Sequence, residues 1–253
     1  MGLFKRKNKK YSTETMDNGA MLIMVADPKN PVAEQFRTIR TNIHFMSVDK
    51  PLRRVAFTSS NVSEGKSTVT ANVAITWAQE GKRVLLIDAD LRRSTLHTTF
   101  GVPNHHGLTT VLTSAVSEID LSQVIMDSGV ENLDVLPAGP VPPNPSELLN
   151  SQRMTAFLDA VEPIYDIIVL DVPPLLEVTD TQALSGKLDG VILVVRAGVT
   201  QKAAVSRAVE MLKISKARLL GYVMNDVDGE DAAYGYGYGY GYGYGYGNDG
   251  DDK

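Results

Sequence analysis

Short apolar runs alternate with longer amphipathic stretches through the middle of the chain. Most of these runs are apolar at every position instead of at every second one, which is typical of strands buried on both faces of a sheet. Strands are predicted at 55–58, 84–87, 133–136, 167–170, 191–195 and 219–223. Strands separated by helices need crossover connections. The pattern therefore predicts an α/β fold, with a mostly parallel sheet and helices on both of its faces.

Helical patterns fill most of the intervals between these strands. They are predicted at 31–47, 67–80, 145–160 (one or two helices), 180–187 and 200–215. Pro31 suits the first turn of the first helix. Segment 21–25 is either a short strand or a segment packed against the body, and the pattern leaves both open. Because hydrophobic periodicity ends at Asn225, we expect one folded domain over 31–226.

The two ends of the chain differ from this domain in composition. Residues 2–10 carry five positive charges, and 1–30 is predicted to be a flexible basic arm, either solvated or in weak contact with an anionic membrane. Glycine occupies every second position over 234–247, which disfavours a helix and makes a strand entropically costly. Residues 227–253 are therefore predicted to be a disordered tail. Seven of the ten tyrosines lie in this tail: Tyr234, Tyr236, Tyr238, Tyr240, Tyr242, Tyr244 and Tyr246. Tyr165 and Tyr222 are expected in the core.

Composition excludes several functional classes. The 253 residues include no cysteine, which removes disulfides, zinc–thiolate sites, iron–sulfur clusters and thiol catalysis. A net charge of −5 argues against nucleic acid as a partner. No apolar run approaches the roughly 20 residues of a membrane span, and the basic N-terminus lacks the apolar segment of a secretory signal.

A candidate phosphate-binding loop follows the first predicted strand. Residues 60–68 read Ser-Asn-Val-Ser-Glu-Gly-Lys-Ser-Thr and lead into a helix, which is the context of a Walker A motif. Gly65 allows close approach of phosphate, Lys66 suits the β- and γ-phosphates, and the Ser67 hydroxyl suits Mg²⁺. Ser60 replaces the first glycine of the usual motif, and Gly-Lys-Ser alone also fits an ordinary helix start.

Carboxylates end two of the predicted strands. Asp88 and Asp90 follow one, and Asp171 follows another. In parallel sheets the carboxyl ends of strands line the ligand crevice, so we expect all three beside the phosphate loop. Each aspartate alone is equally explained as a helix cap or turn residue. Together they predict Mg²⁺ and nucleotide binding, since like charges at one site need neutralisation.

These motifs together resemble the bacterial tyrosine kinases of capsule and exopolysaccharide synthesis, which are P-loop proteins unrelated to eukaryotic protein kinases. The resemblance covers roughly residues 30–247. Asp88-x-Asp90-x-Arg92 is similar to the family's Walker A′ motif, Asp171-x-Pro173-Pro174 to its Walker B, Glu34-x-x-Arg37-x-x-Arg40 to its subunit-interface motif, and the terminal tyrosines to its autophosphorylation cluster. The pure Tyr-Gly repeat is denser than expected, and Ser94 stands where proline is frequent.

The resemblance implies an ATP-dependent autokinase with Mg²⁺ as cofactor. The residues expected to act in catalysis are Lys66, Asp88 (the proton acceptor) and Asp90. The residues expected to bind the metal are Ser67, Asp88 and Asp171. The residues expected to bind the nucleotide are Ser63, Glu64, Gly65, Lys66, Ser67, Thr68, Arg92 and Asn225. Asn225 either reads the purine edge or forms a turn. The implied partners are identical subunits in a ring (an octamer), a transmembrane polysaccharide co-polymerase adaptor and a cognate tyrosine phosphatase. The implied location is cytoplasmic, at the inner face of the membrane through the adaptor.

Two other functions fit part of the pattern. Partition and septum-positioning ATPases share the scaffold, but their signature lysine five residues before the loop lysine is replaced by Asn61. The tail also fits a low-complexity interaction segment.

The proposed interface residues have an alternative explanation as well. Glu34, Arg37 and Arg40 lie on one side of a helix, where they could form an intrahelical ion pair worth only ~0.3–0.5 kcal/mol.

Overall fold

A seven-stranded sheet forms the centre of the computed structural model, which describes residues 14–46, 51–114 and 120–227. The basic stretch 2–10 and the seven tail tyrosines lie outside these ranges. The strands are β1 (Arg54–Ser59), β2 (Val84–Asp88), β3 (Met126–Val130), β4 (Leu133–Leu136), β5 (Ile167–Asp171), β6 (Gly190–Arg196) and β7 (Leu219–Asn225). Their order across the sheet is β3-β4-β2-β5-β1-β6-β7.

All neighbouring strands run parallel except β3, which pairs antiparallel with β4. The six predicted strands and the mostly parallel sheet are confirmed. β3 was not predicted, because an edge strand reading Met-Asp-Ser-Gly-Val and only half-buried carries little hydrophobic signal.

Alternate side chains of the central strands belong to two separate cores. Ala56, Leu85 and Leu170 point into one core, while Phe57, Leu86 and Val169 point into the other. Each face therefore needs its own helical cover, which confirms the prediction of helices on both faces.

The helices that cover these faces are mostly those predicted. They are α1 (Glu14–Asn18), α2 (Ile23–Ala26), α3 (Pro31–Phe45), α4 (Lys66–Gln79), α5 (Leu96–Phe100), α6 (Leu108–Thr113), α7 (Pro145–Asn150), α8 (Gln152–Val161), α9 (Asp180–Leu184) and α10 (Lys202–Ile214). α2 to α5 contribute to one core and α6 to α10 to the other. The single-turn helices α1, α5 and α6 are too short to show periodicity and were not predicted.

Packing against the folded domain begins before residue 31, the boundary that the sequence predicted. Residues 21–25 are not a strand, since α2 begins at Ile23. The Met24 side chain is fully buried, and its N–H donates to Asn72 Oδ1 at 3.1 Å. The Asn72 amide in turn donates to the Met21 carbonyl at 2.8 Å. The flexible arm predicted for 1–30 is therefore wrong for residues 14–30, where Ile23 and Met24 are buried against the body.

Two further observations concern apolar surface. Tyr165 is buried as predicted, but Tyr222 is 68% exposed on the edge strand β7, so its predicted core position is wrong. Across the ranges that the structure describes, no helix is both long enough and apolar enough to span a membrane.

The packing of α2 yields a stability prediction. Met24→Ala removes a fully buried side chain and should lower the free energy of unfolding by about 2–5 kcal/mol. Val25→Ala, one residue away at a side chain that is 51% exposed, should change it by no more than ~0.5 kcal/mol. Urea unfolding of both variants measures the difference, and equal values would show that α2 does not pack as described.

Candidate active site

The loop between β1 and α4 has the backbone geometry of a phosphate-binding loop. Gly65 caps α4 with φ +86°, and Ser63 also has a positive φ of +61°. A Cβ on Gly65 would lie 1.9 Å from the Asn225 amide nitrogen, so both conformation and space require glycine. The N-terminus of the 14-residue helix α4 points at the cleft, where its free N–H groups favour an anion.

Glu64 supports this loop from inside. Its carboxylate accepts hydrogen bonds from the Ser60 N–H at 2.9 Å, the Asn61 amide at 3.1 Å and the Thr200 hydroxyl at 2.8 Å. These bonds fix the loop where the usual first glycine is replaced by Ser60. The Glu64 side chain thus shapes the loop and does not line the cleft, and the contact of this residue with nucleotide stays a prediction.

Lys66 makes the central electrostatic contacts of the site. Its ammonium nitrogen lies 2.8 Å from Asp171 Oδ1 and 3.4 Å from Asp90 Oδ2. Burial alone would lower the pKa of Lys66, but these carboxylates outweigh it and raise the pKa well above its usual value. Lys66 therefore stays charged, and two of the three predicted aspartates, Asp90 and Asp171, contact the loop lysine.

Asp88 is held by the backbone of the segment that follows β2. Its Oδ1 accepts the Asp90 N–H at 3.2 Å, and its Oδ2 accepts the N–H groups of Thr95 and Leu96 at 2.9 and 3.0 Å. Burial, and next the Asp171 carboxylate, raise the pKa of Asp88. Asp88 is fully buried, whereas Asp90 lines the cleft.

The donor set fits a divalent cation that keeps several of its waters. Asp171 Oδ2 is buried without a hydrogen-bond partner, and the Ser67 hydroxyl lines the cleft close by, 3.4 Å from the Lys66 ammonium. In the part of the chain that is described, no three His, Asp or Glu side chains form a ready cluster for a metal. A few oxygens plus water and phosphate are what Mg²⁺ uses at nucleotide sites.

Arg92 does not line the cleft. Its guanidinium makes a two-pronged ion pair with the buried Asp180, at 2.9 and 3.2 Å, and Asp180 also accepts a hydrogen bond from the Ser146 hydroxyl. This contact fixes α9 against the β2–α5 segment. Arg93, the next residue, lines the cleft instead. The sequence motif thus identified the right segment, but the neighbouring arginine faces the site.

Asn225 contacts the loop directly. Its amide donates to the Glu64 carbonyl at 3.1 Å. The guanidinium of Arg196 donates both to the carboxylate of Asp226, the next residue after Asn225, at 2.8 Å and to the Ser63 carbonyl at 3.4 Å. The end of the last strand is therefore tied to the phosphate loop. Asn225 does not line the cleft in the described structure, so its contact with a purine stays a prediction.

The cleft itself is lined by two walls. On the loop side it is lined by Ser59, Val62, Ser63, Gly65, Lys66, Ser67 and Thr68, and on the other side by Thr15, Met16, Asp90, Arg93, Thr95 and Pro174. Five of the eight residues predicted to bind nucleotide therefore lie on one wall. Thr15 and Met16 were missed, because nothing in the sequence connects the first helix to a loop 50 residues later.

The proposed subunit-interface residues lie together on α3. Arg37 donates to Glu34 at 2.8 Å and to the Pro28 carbonyl at 2.9 Å. Arg40 donates to the Thr76 carbonyl of α4 at 2.9 Å. The intrahelical pair that was the alternative explanation is thus present, and Arg40 already serves contacts within one subunit.

Fold and loop geometry define a P-loop nucleotide-binding protein. A family model described as an AAA domain matches residues 52–220. Tyrosine-protein kinase YwqD of Bacillus subtilis (strain 168) is 46% identical over 204 residues, covering 81% of this chain and 85% of that protein. The kinase domain of the Escherichia coli tyrosine kinase ETK is similar in structure, with a TM-score of 0.77, 31% identity and coverage of 88% and 84%. The chain belongs to the family of bacterial tyrosine-protein kinases.

The partition and septum-positioning ATPases, the alternative class, share only the fold with this chain. The septum site-determining protein MinD of Pyrococcus horikoshii OT3, complexed with Mg-ADP, has a TM-score of 0.55 and 24% identity, and covers 68% of this chain and 69% of its own. Where the positioning ATPases carry their signature lysine, Asn61 donates to Glu64 and completes the loop. The comparisons favour the kinase family over this alternative.

Gly65 provides a test of the loop geometry. Gly65→Ala should lower nucleotide affinity about tenfold or more, because the new methyl group displaces the Asn225 amide that braces the loop. Gly81→Ala is the matched control, since Gly81 has φ +85° but no heavy atom within 4 Å of its Cβ position. Both variants carry a backbone strain of about 1–2 kcal/mol. Titration with a fluorescent nucleotide that gave equal affinities would refute the steric argument.

Proposed function

We propose that this chain transfers the γ-phosphoryl group of ATP to tyrosine hydroxyls, principally those of its own C-terminal cluster. The observation that carries the proposal is the Lys66 ammonium, held between Asp171 and Asp90 at the N-terminus of α4. A cation and helix N–H groups in one cleft suit the charge that develops in phosphoryl transfer. The kinase names of the relatives support the same reaction.

The chemistry requires a proton acceptor and a stabilised leaving group. A bond forms from the phenolic oxygen to the γ-phosphorus while the bond to the β–γ bridging oxygen breaks, and ADP leaves. The phenol has a pKa near 10, so its proton must pass to a base. The sequence favoured Asp88, but Asp90 is the aspartate on the cleft surface, so we assign it direct contact with the acceptor. Asp88 then holds the surrounding backbone.

Mg²⁺ is proposed at Ser67 and Asp171, with Asp88 contributing through water. When bound there, the ion would neutralise charge on the β- and γ-phosphates. The free oxygen of Asp171 and the Ser67 hydroxyl support this choice. Lys66 shares the neutralisation, and Ser63, Gly65 and Thr68 contribute the loop that surrounds the phosphates.

The cellular setting is proposed from the family. Identical subunits form a ring, an octamer by resemblance, in which each tail reaches a neighbouring cleft. A transmembrane polysaccharide co-polymerase adaptor activates the kinase at the inner face of the membrane, and a cognate phosphatase reverses the modification. Capsule or exopolysaccharide synthesis is the process regulated.

Two variants test the reaction. Lys66→Met should abolish phosphotyrosine formation with Mg·ATP, whereas Lys82→Met, at an exposed lysine, should retain it. Deleting residues 234–247 should preserve nucleotide affinity and remove nearly all phosphotyrosine. Mass spectrometry locates the modified residues, and circular dichroism checks folding. Wild-type phosphotyrosine in the Lys66→Met variant, or phosphate mainly on Tyr165 or Tyr222, would refute the proposal.

Assembly needs a variant that does not disturb the subunit itself. Arg40→Ala would also remove the contact with Thr76, so a change in mass would be ambiguous. Glu34 is better, because its side chain is 68% exposed and pairs only weakly with Arg37. Glu34→Arg should shift the mass in light scattering from oligomer to monomer, while Glu210→Arg on the exposed side of α10 should not. An unchanged mass would refute the interface.

A further inference from the structure

The wall of the cleft opposite the phosphate loop is built from three separate segments. Thr15 and Met16 come from α1, Arg93 and Thr95 from the segment between β2 and α5, and Pro174 from the residues after β5. Apart from Asp90, this wall has no role in the mechanism above. It adjoins the loop lysine, because the segment after β2 also carries Asp90, which lies 3.4 Å from the Lys66 ammonium.

Arg93 supplies a cation to this wall. Its backbone is fixed, since its N–H donates to Asp90 Oδ1 at 3.0 Å. The guanidinium is exposed and, among the described residues, forms no ion pair, in contrast to Arg92 on Asp180. An arginine that faces a cleft without a carboxylate partner is suited to an anionic ligand, phosphate above all.

Thr95 supplies an unsatisfied hydroxyl. The residue is only 6% exposed and lines the cleft, and its Oγ1 is buried without a hydrogen-bond partner. Leaving a buried polar group unpaired costs about 1–3 kcal/mol, so such a group at a cleft points to a ligand atom. Its N–H is already used, donating to Asp88.

Met16 and Pro174 give the wall an apolar part. Met16 is 39% exposed, and a thioether makes favourable contacts with aromatic rings. Its segment is fastened to α5: the Ala20 N–H donates to Thr99 Oγ1 at 2.9 Å, and a Cβ on Gly19 (φ +77°) would lie 2.8 Å from Thr99 Cα. Met16 is thus held over the cleft by fixed backbone contacts.

We propose that this wall is the acceptor-binding site. The tyrosine ring lies against Met16 and Pro174, its hydroxyl meets Thr95, and the phosphate ester formed by transfer is bound by Arg93. The ligand class is a phenol, or its phosphomonoester, in a glycine-flanked peptide. This assignment rests on the proposed function and adds a second substrate site to the nucleotide site.

The test measures binding without catalysis. The protein is the 253-residue chain with its seven tail tyrosines replaced by serine, so that its own tail does not compete. Short labelled peptides of alternating glycine and tyrosine, phosphotyrosine or phenylalanine are titrated against it by fluorescence anisotropy with Mg·ADP present. We expect the phosphotyrosine peptide to bind most tightly and the phenylalanine peptide most weakly.

Arg93→Gln should weaken the phosphotyrosine peptide about tenfold or more and the tyrosine peptide little, because it removes only the charge-assisted contact. Met16→Ser should weaken all three peptides by a similar factor of about three. Arg207→Gln on α10 and Met21→Ser in the same N-terminal segment, both at exposed side chains, are the controls and should change nothing.

Three outcomes would overturn the assignment: no binding of any peptide, equal effects of Arg93→Gln and Arg207→Gln, or an equal loss of ADP affinity in Arg93→Gln, which would place Arg93 on the nucleotide. Phosphoryl transfer from ATP to the tyrosine peptide is measured separately. Peptide binding without transfer would contradict the proposed reaction while leaving the binding site supported, so the two failures are distinguishable.

Discussion

The ion pairs of Lys66 are the interaction on which the rest of the site depends. Burying an ammonium group away from water costs several kcal/mol unless the group is paired. The ion pairs of Lys66 with Asp171 and Asp90 offset this cost. The pairs join the start of α4 to the ends of β5 and β2. The phosphate loop, the strand ends and the first turn of the helix are therefore positioned by one charge, and a shift of any of them would unpair it.

Sheet register brings the opposing charges to this point. Asp88 and Asp171 are direct partners in the parallel pairing of β2 with β5, and Asp171 also pairs with Phe57 of β1, next to the loop. Burial raises the pKa of both carboxyl groups; the Asp171 carboxylate raises that of Asp88 further, and Asp90 raises that of Asp171 further. Backbone N–H groups stabilise Asp88, and Lys66 stabilises Asp171. The fold thus maintains an arrangement of charge that would be unfavourable without these contacts.

The sequence predicted the parts of the molecule that are written in contiguous residues. Strands such as β2 and β5 are apolar at every position, and their terminal aspartates follow directly, so both the sheet and its charged edge could be inferred. Contacts between distant segments could not. The hydroxyl of Thr200 on Glu64, the pairing of Arg92 with Asp180 and the position of Met16 over the cleft depend on tertiary packing. Arg92 shows the limit well, since a motif fixes a segment but not which of two adjacent arginines faces inward.

The two walls of the cleft therefore differ in how they are specified and in what they bind. The loop wall comes from one continuous motif and binds a group common to all P-loop proteins, the phosphates of a nucleotide. The opposite wall combines α1, the segment after β2 and the residues after β5, so it is specified by tertiary packing and not by one motif. Lys66 lies between two carboxylates, Asp171 and Asp90, and this excess of negative charge favours nucleotide accompanied by Mg²⁺ over free nucleotide. Among the described residues of the opposite wall, Arg93 is the cation available to the anionic product of the proposed reaction. In the proposed reaction on many equivalent tyrosines, this separation allows the acceptor to exchange while the phosphate loop stays assembled.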